Sequence, residues 1–260
     1  MRWLVLAGML AMAQMAQMTA HAEAVLDRIK AQGVLRVGTT GDYKPFTFHN
    51  PDGSYVGADI DMARKLAAKL GVKVEFVPTV WARLNADYDA DKFDIAMGGV
   101  TNLPPRLAKG PFAHTVYVDG KRPITACANA GRFASIEAID KPDVRVVVNP
   151  GASNEEFAHK YFPHAKLTVH QDNATVFDEI AAGREDVMVT DGIEVDHQAA
   201  IHKGVLCPAQ VSTALDGKRI EKAYWVRPDK DLLAAVNGFV DAEMSGGDWK
   251  AILDHHLAAP

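Results

Sequence analysis

EDVMVTDGIEVDHQ, residues 185–198, turns an apolar run into an acidic one. Val187 to Val189 have the branching of a buried strand, and Asp191, Glu194 and Asp196 follow at spacings of three and two. The ends of strands in open α/β sheets are where ligands are held. Three roles therefore compete for these carboxylates: the solvated first turn of a helix, favouring its dipole; the ligand-holding tip of a cleft; or a general acid in a reaction.

The same strand-to-helix alternation runs through the chain. Upstream, the pattern predicts a strand over 34–39, a helix over 59–70, a strand over 72–77, a helix over 81–88 and a strand over 94–97. In the 59–70 helix, Ile60, Ala63, Leu66, Ala67 and Leu70 share one face, Asp59 and Asp61 load the first turn, and Gly71 supplies the stop. The series restarts with a strand over 144–148, helices over 154–161 and 174–182, and strands over 166–169 and 186–190. Two such series predict an α/β protein of two lobes, each around a mostly parallel sheet. VYVDGKRPI at 116–124 lies between them, and the chain passes back through 217–226 before a helix over 231–244. Two crossings imply a two-stranded hinge beside a ligand cleft, with lobe 1 built from 23–119 plus 222–260 and lobe 2, 120–221, inserted.

Arg2, an almost wholly apolar run over 3–18 and Ala20-His21-Ala22 read as a secretory signal peptide over 1–22. No later segment approaches the ~20 apolar residues that a membrane span needs, so the mature chain is expected to be exported. With 260 residues, 48% hydrophobic, there is enough chain for one large or two modest cores. The net charge of -5 is spread rather than blocked, which argues against a nucleic-acid or membrane-surface partner and for a small-molecule ligand. The two cysteines, Cys127 and Cys207, are most simply one disulfide in an oxidising compartment. Closing a loop of about eighty residues stabilises by roughly 4 to 5 kcal/mol on the chain-entropy model. The ten histidines make no H-E-x-x-H spacing and no G-x-S-x-G occurs, so no metal, serine nucleophile or cofactor is expected.

Polar groups follow several predicted strands. After the first come Thr40, Asp42 and Tyr43, with Phe46 read as core rather than ligand wall. After 94–97, Gly98 and Gly99 allow close backbone approach, Thr101 offers a hydroxyl and Arg106 a planar fork for a carboxylate. Asn149, Gly151, Ser153 and Asn154 follow another strand, and the amides of that turn open a helix, a ready anion site, although Ser153 or Asn154 alone reads as an ordinary N-cap. Trp81 is either a ring-packing residue of the cleft or a core residue at a helix start.

GVLRVGTTGDYKPF, YVGADIDMARKLAAKLG, FDIAMGGVTNLPPR and VNPGASNEEF resemble the family 3 periplasmic solute-binding proteins, from residue 26 to about 257. More narrowly, TTGDYKPF, DGK-x-PIT-x-C at 119–127, VNPG at 148–151, TD-x-IE at 190–194 and EKAY at 221–224 resemble the cyclohexadienyl dehydratase branch of that family, and the cysteines fall where its pair falls. Gly98, Gly192 and the Leu103-Pro104-Pro105 run depart from that branch.

The resemblance implies a type II periplasmic-binding-protein-like fold, a periplasmic location, and conversion of prephenate to phenylpyruvate and of arogenate to phenylalanine without a cofactor. It implies Thr101 and Arg106 at a ligand carboxylate with the 151–154 turn opposite, Asp191 where binding proteins hold a ligand's ammonium, and Glu194 as general acid. Asp42, Tyr43, Trp81, Gly99 and Asn149 complete the expected binding set, and Asp196 is expected to be solvated on the first helical turn. Oligomeric state is left open, a homo-oligomer included. The rival is a non-catalytic receptor that hands an amino acid to a transporter permease; there, a second carboxylate beside Asp191 suits only a basic amino acid.

Overall fold

In the strand Val34–Thr39, Leu35 and Val37 are fully buried while Val34 and Arg36 are partly exposed, the period-two pattern of a strand. This strand is central to the first lobe of a computed structural model that describes residues 24–151, 153–211 and 214–258. The signal peptide expected over 1–22 lies outside the described residues.

Val34–Thr39 pairs in parallel with Lys73–Pro78 on one side and Ile95–Ala96 on the other, and Trp225–Val226 adds antiparallel at the edge. The helix Ala58–Leu70 ends at Gly71, whose left-handed φ of 74° closes it, and lays Ala63, Leu66 and Ala67 into the core with Leu35, Val37 and Ile95. The second lobe carries a five-stranded sheet in the order Lys166–Val169, Arg145–Val148, Val187–Asp191, Lys121–Ala126 and Leu206–Pro208. The first three run parallel; Lys121–Ala126 is antiparallel to both its neighbours. Val146, Val148, Val187 and Val189 pack on one face with Phe157 and Phe162, whereas Val147, Met188 and Ile124 pack on the other with Phe177. Both faces are covered, which is why these strands read as near-continuous apolar runs.

The lobes are joined where Tyr117–Asp119 pairs antiparallel with Ile220–Lys222. This two-stranded hinge delivers the chain directly into Lys121–Ala126 and takes it back into Trp225–Val226. Two helices begin later than the pattern predicts. The helix expected over 81–88 spans Leu84–Asp89, because residues 81–83 form a turn in which the Val80 carbonyl accepts from the amides of Arg83 and Leu84. The one expected over 174–182 spans Val176–Ala181, because Asp172 holds the Ala174 amide in a side-chain turn. Phe46 is fully buried core. Beyond the helix Lys230–Gly246, a further helix, Asp248–Ala258, follows a break at Gly247 with φ 80° and packs Trp249 and Leu253 into the first-lobe core.

Cys127 and Cys207 form a disulfide, tying the end of Lys121–Ala126 to the sheet-edge strand beside it across 80 residues of sequence. Replacing both by serine should lower unfolding stability by about 4 kcal/mol, a large share of a marginal total. The readout is a lower urea midpoint; an unchanged midpoint would show that the crosslink does not carry the edge strand.

Candidate active site

Asp191 ends the central strand of the second sheet and occupies the N-cap position of the helix Gly192–Ile201, yet its side chain caps nothing. The Ile193 amide is instead taken by Asp119 of the hinge at 2.8 Å, and the Gly192 amide by the Gly120 carbonyl at 2.9 Å. Relieved of capping, the Asp191 carboxylate meets three donors: Lys121 Nζ at 2.7 Å on Oδ1, and Lys222 Nζ and the Tyr43 hydroxyl, each at 2.5 Å, on Oδ2. All four groups are buried. Burial alone would raise the Asp191 pKa, but the two ammonium groups more than offset it and hold the carboxylate well below its usual range. Burial lowers the Lys222 pKa against the pull of Asp191, and raises that of Tyr43, which remains a donor.

Lys121 also donates to Ser153 Oγ at 2.9 Å and to the Asn154 side-chain carbonyl. Because an ammonium can only donate, the Asn154 amide must present its oxygen to Lys121 and its nitrogen elsewhere. That nitrogen donates to Asn149 Oδ1 at 2.9 Å and Thr190 Oγ1 at 3.0 Å. The Thr190 hydroxyl then donates to Glu194 Oε2 at 2.5 Å. The chain of donors leaves Oε1 as the place for a proton on Glu194. Burial first, then the negative charge of Asp191, raise the Glu194 pKa to about 8, against the Thr190 hydrogen bond and the two lysines. At neutral pH this carboxyl is protonated, on the first turn of its helix.

Opposite, Gly98 and Gly99 have φ of 128° and 71°, conformations that favour glycine, and a Cβ on Gly99 would lie 2.4 Å from the Tyr43 ring. Their amides both donate to Asp59 Oδ2, at 2.9 and 2.6 Å, and the Tyr224 hydroxyl donates to Asp59 Oδ1 at 3.1 Å. Asp59 therefore tethers the loop that presents Thr101 and Arg106, and burial raises its own pKa to about 6 against these donors. Arg106 is buried, donates to the Thr101 carbonyl at 3.0 Å and to Asn85 at 3.3 Å, and meets no carboxylate within salt-bridge distance among the described residues. Burial lowers its pKa to about 10, so it stays charged at neutral pH.

These groups surround a cavity lined by Tyr43, Trp81, Gly99, Thr101, Arg106, Asn149, Ser153, Asn154, Asp191 and Glu194 together with Asn173 and Lys222. Two of the residues expected there are elsewhere. Asp42 accepts from Trp81 Nε1 at 3.0 Å and, through its backbone carbonyl, from Asn173 at 2.9 Å, and faces an adjoining hollow that also reaches Glu194. Gly151 gives its amide to Glu155 and packs against Ala82 of the first lobe, where an added Cβ would lie 2.3 Å from Cα, so it seats the lobes together and its amide is already taken. Trp81 stands in the turn before its helix and meets Tyr43 edge-on. Asp196 is exposed, two residues past Glu194 on the same helix, and pairs with Arg122. Asp191 lines the cavity with both lysines and the Tyr43 hydroxyl on its oxygens.

Lys121, Lys222, Thr190 and Asn173 are the participants that residue types alone did not single out. Both lysines lie in the crossing segments, which read as connectors. Their signal is a lysine opening the strand KRPITA and one preceding the apolar AYWV; Lys121 stands opposite Asp191 in register.

A family model described as bacterial extracellular solute-binding proteins, family 3, matches residues 35–259. A cyclohexadienyl dehydratase of Pseudomonas aeruginosa is 41% identical over 235 residues, covering 90% of this chain and 87% of that protein. The crystal structure of an ancestral amino acid-binding protein, described as a precursor of cyclohexadienyl dehydratase, superposes with a TM-score of 0.82 at 35% identity, covering 90% of this chain and all of that one. An ancestral cyclohexadienyl dehydratase is 45% identical with a TM-score of 0.56, covering 91% of this chain and 97% of that one.

Two stability effects follow. Asp59→Ala orphans two buried amides and a hydroxyl, at about 1–3 kcal/mol each, and should cost at least about 3 kcal/mol in urea unfolding; a loss below about 1 kcal/mol would show that Asp59 does not tether the loop. For Glu194, the folded pKa of about 8 lies above the ordinary 4.5. The stability lent by its proton is complete below the unfolded value, falls as pH rises across that window and is gone above it. Glu194→Gln should therefore gain in melting temperature relative to wild type between about pH 5 and about pH 9; a constant difference would mean that Glu194 titrates as in solvent.

Proposed function

The chain belongs to the bacterial extracellular solute-binding proteins of family 3, and within that family we propose that it is a periplasmic cyclohexadienyl dehydratase, a carbon–oxygen lyase converting prephenate to phenylpyruvate and able to take arogenate to phenylalanine. The observation that carries this reading is a protonated, buried carboxyl, Glu194, in a cavity whose other charges are mainly positive.

Prephenate carries two carboxylates and, across its cyclohexadiene ring, a hydroxyl. In the reaction the C–O bond breaks with its electron pair, the ring carboxylate leaves as carbon dioxide, and its bonding pair completes the aromatic ring. The departing oxygen needs one proton to become water, and hydroxide is a poor leaving group, so an acid at that oxygen is the most useful catalyst. Glu194 Oε1 supplies the proton. The nearby Asn173 Oδ1 is buried without a partner among the described residues and is suited to accept from the substrate hydroxyl, turning a lone pair of that oxygen toward Glu194.

Arg106 and Lys222 line the cavity and Lys121 pairs with Asp191 behind it, so the site carries more positive than negative charge, which favours an anionic substrate. Arg106 with Thr101 offers one carboxylate site. With Gly151 excluded, the second site falls to the side chains of Ser153, Asn149 and Lys222 instead of the turn's amides. Trp81 and Tyr43 supply ring contact. A receptor for a basic amino acid fits less well, because Asp191 is neutralised internally and Glu194 is uncharged.

Glu194→Gln keeps the shape and loses the transferable proton. It should lower kcat for prephenate by at least about a thousandfold, within the range assigned to general acids, while prephenate still raises the melting temperature. Retained turnover would remove Glu194 from the mechanism. Since the reactive form is protonated, kcat/KM should be level in mild acid and fall about tenfold per pH unit above about 8; a rate that rises through this range would require a base instead.

A further inference from the structure

The proposed reaction consumes a proton at every turnover. The C–O bond breaks with its electron pair on oxygen, and that oxygen takes the proton of Glu194 Oε1 and leaves as water. The bonding pair of the departing carbon dioxide stays in the ring. Glu194 is left as a carboxylate, buried beside the charge of Asp191, a costly state that lasts until one proton returns from solvent. The donor chain on Oε2 does not lead to solvent. It begins at Lys121, which is itself buried and has its three N–H groups engaged on Ser153, Asn154 and Asp191. On the cleft side, the substrate or its product lies against the acid.

A second opening reaches the same carboxyl. Glu194 and Asn173 line both the catalytic cavity and the adjoining hollow, whose other walls include Asp42 and Lys44 of the first lobe and Gln198 and His202 of the second. Glu194, Gln198 and His202 are four residues apart on the helix Gly192–Ile201 and its C-cap, so they share one face. Exposure rises along that face: Glu194 is buried, Gln198 and His202 are partly exposed, and Ala174, Asp178 and Ile201 at the rim are exposed. The ring of His202 is oriented for exchange. Its Nδ1 lies 3.1 Å from the Gln198 carbonyl, which can only accept, so Nδ1 carries the hydrogen and Nε2 presents a lone pair. Histidine is the side chain suited to take up and release a proton near neutral pH. Gln198 offers a donor and an acceptor to water between His202 and Glu194.

We propose that this hollow is the proton port of the site, and that His202 takes a proton from solvent at Nε2 and passes it, through water along the Glu194–Gln198–His202 face, to the spent Glu194 carboxylate. Substrate and proton thus enter by separate openings. This rests on the dehydratase reading, and His202 acts through Glu194 without touching the substrate.

The test compares wild type with His202→Ala, which removes the relay at a partly exposed position, and Ala174→Trp, which fills the rim of the hollow from its exposed side. Two rates are measured with prephenate at neutral pH in dilute buffer. A single turnover with protein in excess uses the proton already on Glu194, whereas steady-state kcat needs a new one each cycle. Both variants should keep the single-turnover rate within about twofold of wild type and lose about tenfold or more in kcat. Imidazole added to the buffer should restore kcat to His202→Ala but not to Ala174→Trp, whose port is blocked. Folded variants whose kcat matches wild type, or a loss in both rates together, overturn the proposal. If wild type turns over no prephenate, or Glu194→Gln turns it over at the wild-type rate, the dehydratase reading or its acid fails and the port falls with it. Turnover that depends on Glu194 but is unimpaired in both variants refutes the port alone.

Discussion

Asp191 is bound by donors from three separate parts of the chain: Tyr43 from the first-lobe hairpin, Lys121 from the opening strand of the second lobe, and Lys222 from the returning hinge strand. A buried carboxylate is costly unless fully paired, and removing one partner of such a cluster leaves an uncompensated charge. The cluster therefore fixes how the two lobes meet across the cleft and sets the electrostatics of everything inside it. It depends on a substitution in capping: because Asp119 and Gly120 satisfy the first amides of the Gly192–Ile201 helix, Asp191 is available to the lysines.

The protonation of Glu194 is a consequence of the same arrangement. Burial raises its pKa, and the Asp191 charge adds to that, while the lysines, tied to Asp191, offset only part of it. The donor relay from Lys121 through Asn154 and Thr190 occupies Oε2 and leaves the acidic proton on Oε1. One site thus holds a carboxylate that stays ionised and a carboxyl that stays neutral, the division of labour that acid catalysis near neutral pH requires. On the other wall, the Asp59 tether and the positive φ of Gly98 and Gly99 bring the Thr101–Arg106 segment close enough to line the same cavity.

Much of this was legible in the sequence. The apolar periods of 34–39 and 59–70 predicted their elements closely, since a buried strand and a glycine-stopped amphipathic helix have strong local signals. Glu194, Asp191, Thr101 and Arg106 follow strand ends in the sequence, and all four line the cavity. Trp81 was placed in a helix that starts three residues later, because the Val80 carbonyl accepts from the Arg83 and Leu84 amides and closes residues 81–83 into a turn. Gly151 looked like an anion-binding turn, but its amide is taken by Glu155 four residues on and its missing Cβ serves the approach of Ala82. The two lysines were the hardest to find. A lysine in a connecting segment reads as solvated surface, and only the antiparallel register of Lys121 with Asp191 and the hinge pairing of Lys222 turn them inward.

The most direct measurement is the formation of phenylpyruvate from prephenate by the purified protein at neutral pH, against the slow spontaneous background. Saturable turnover well above that background is the predicted result; a rate equal to the background, in a protein that nonetheless binds prephenate, would contradict it.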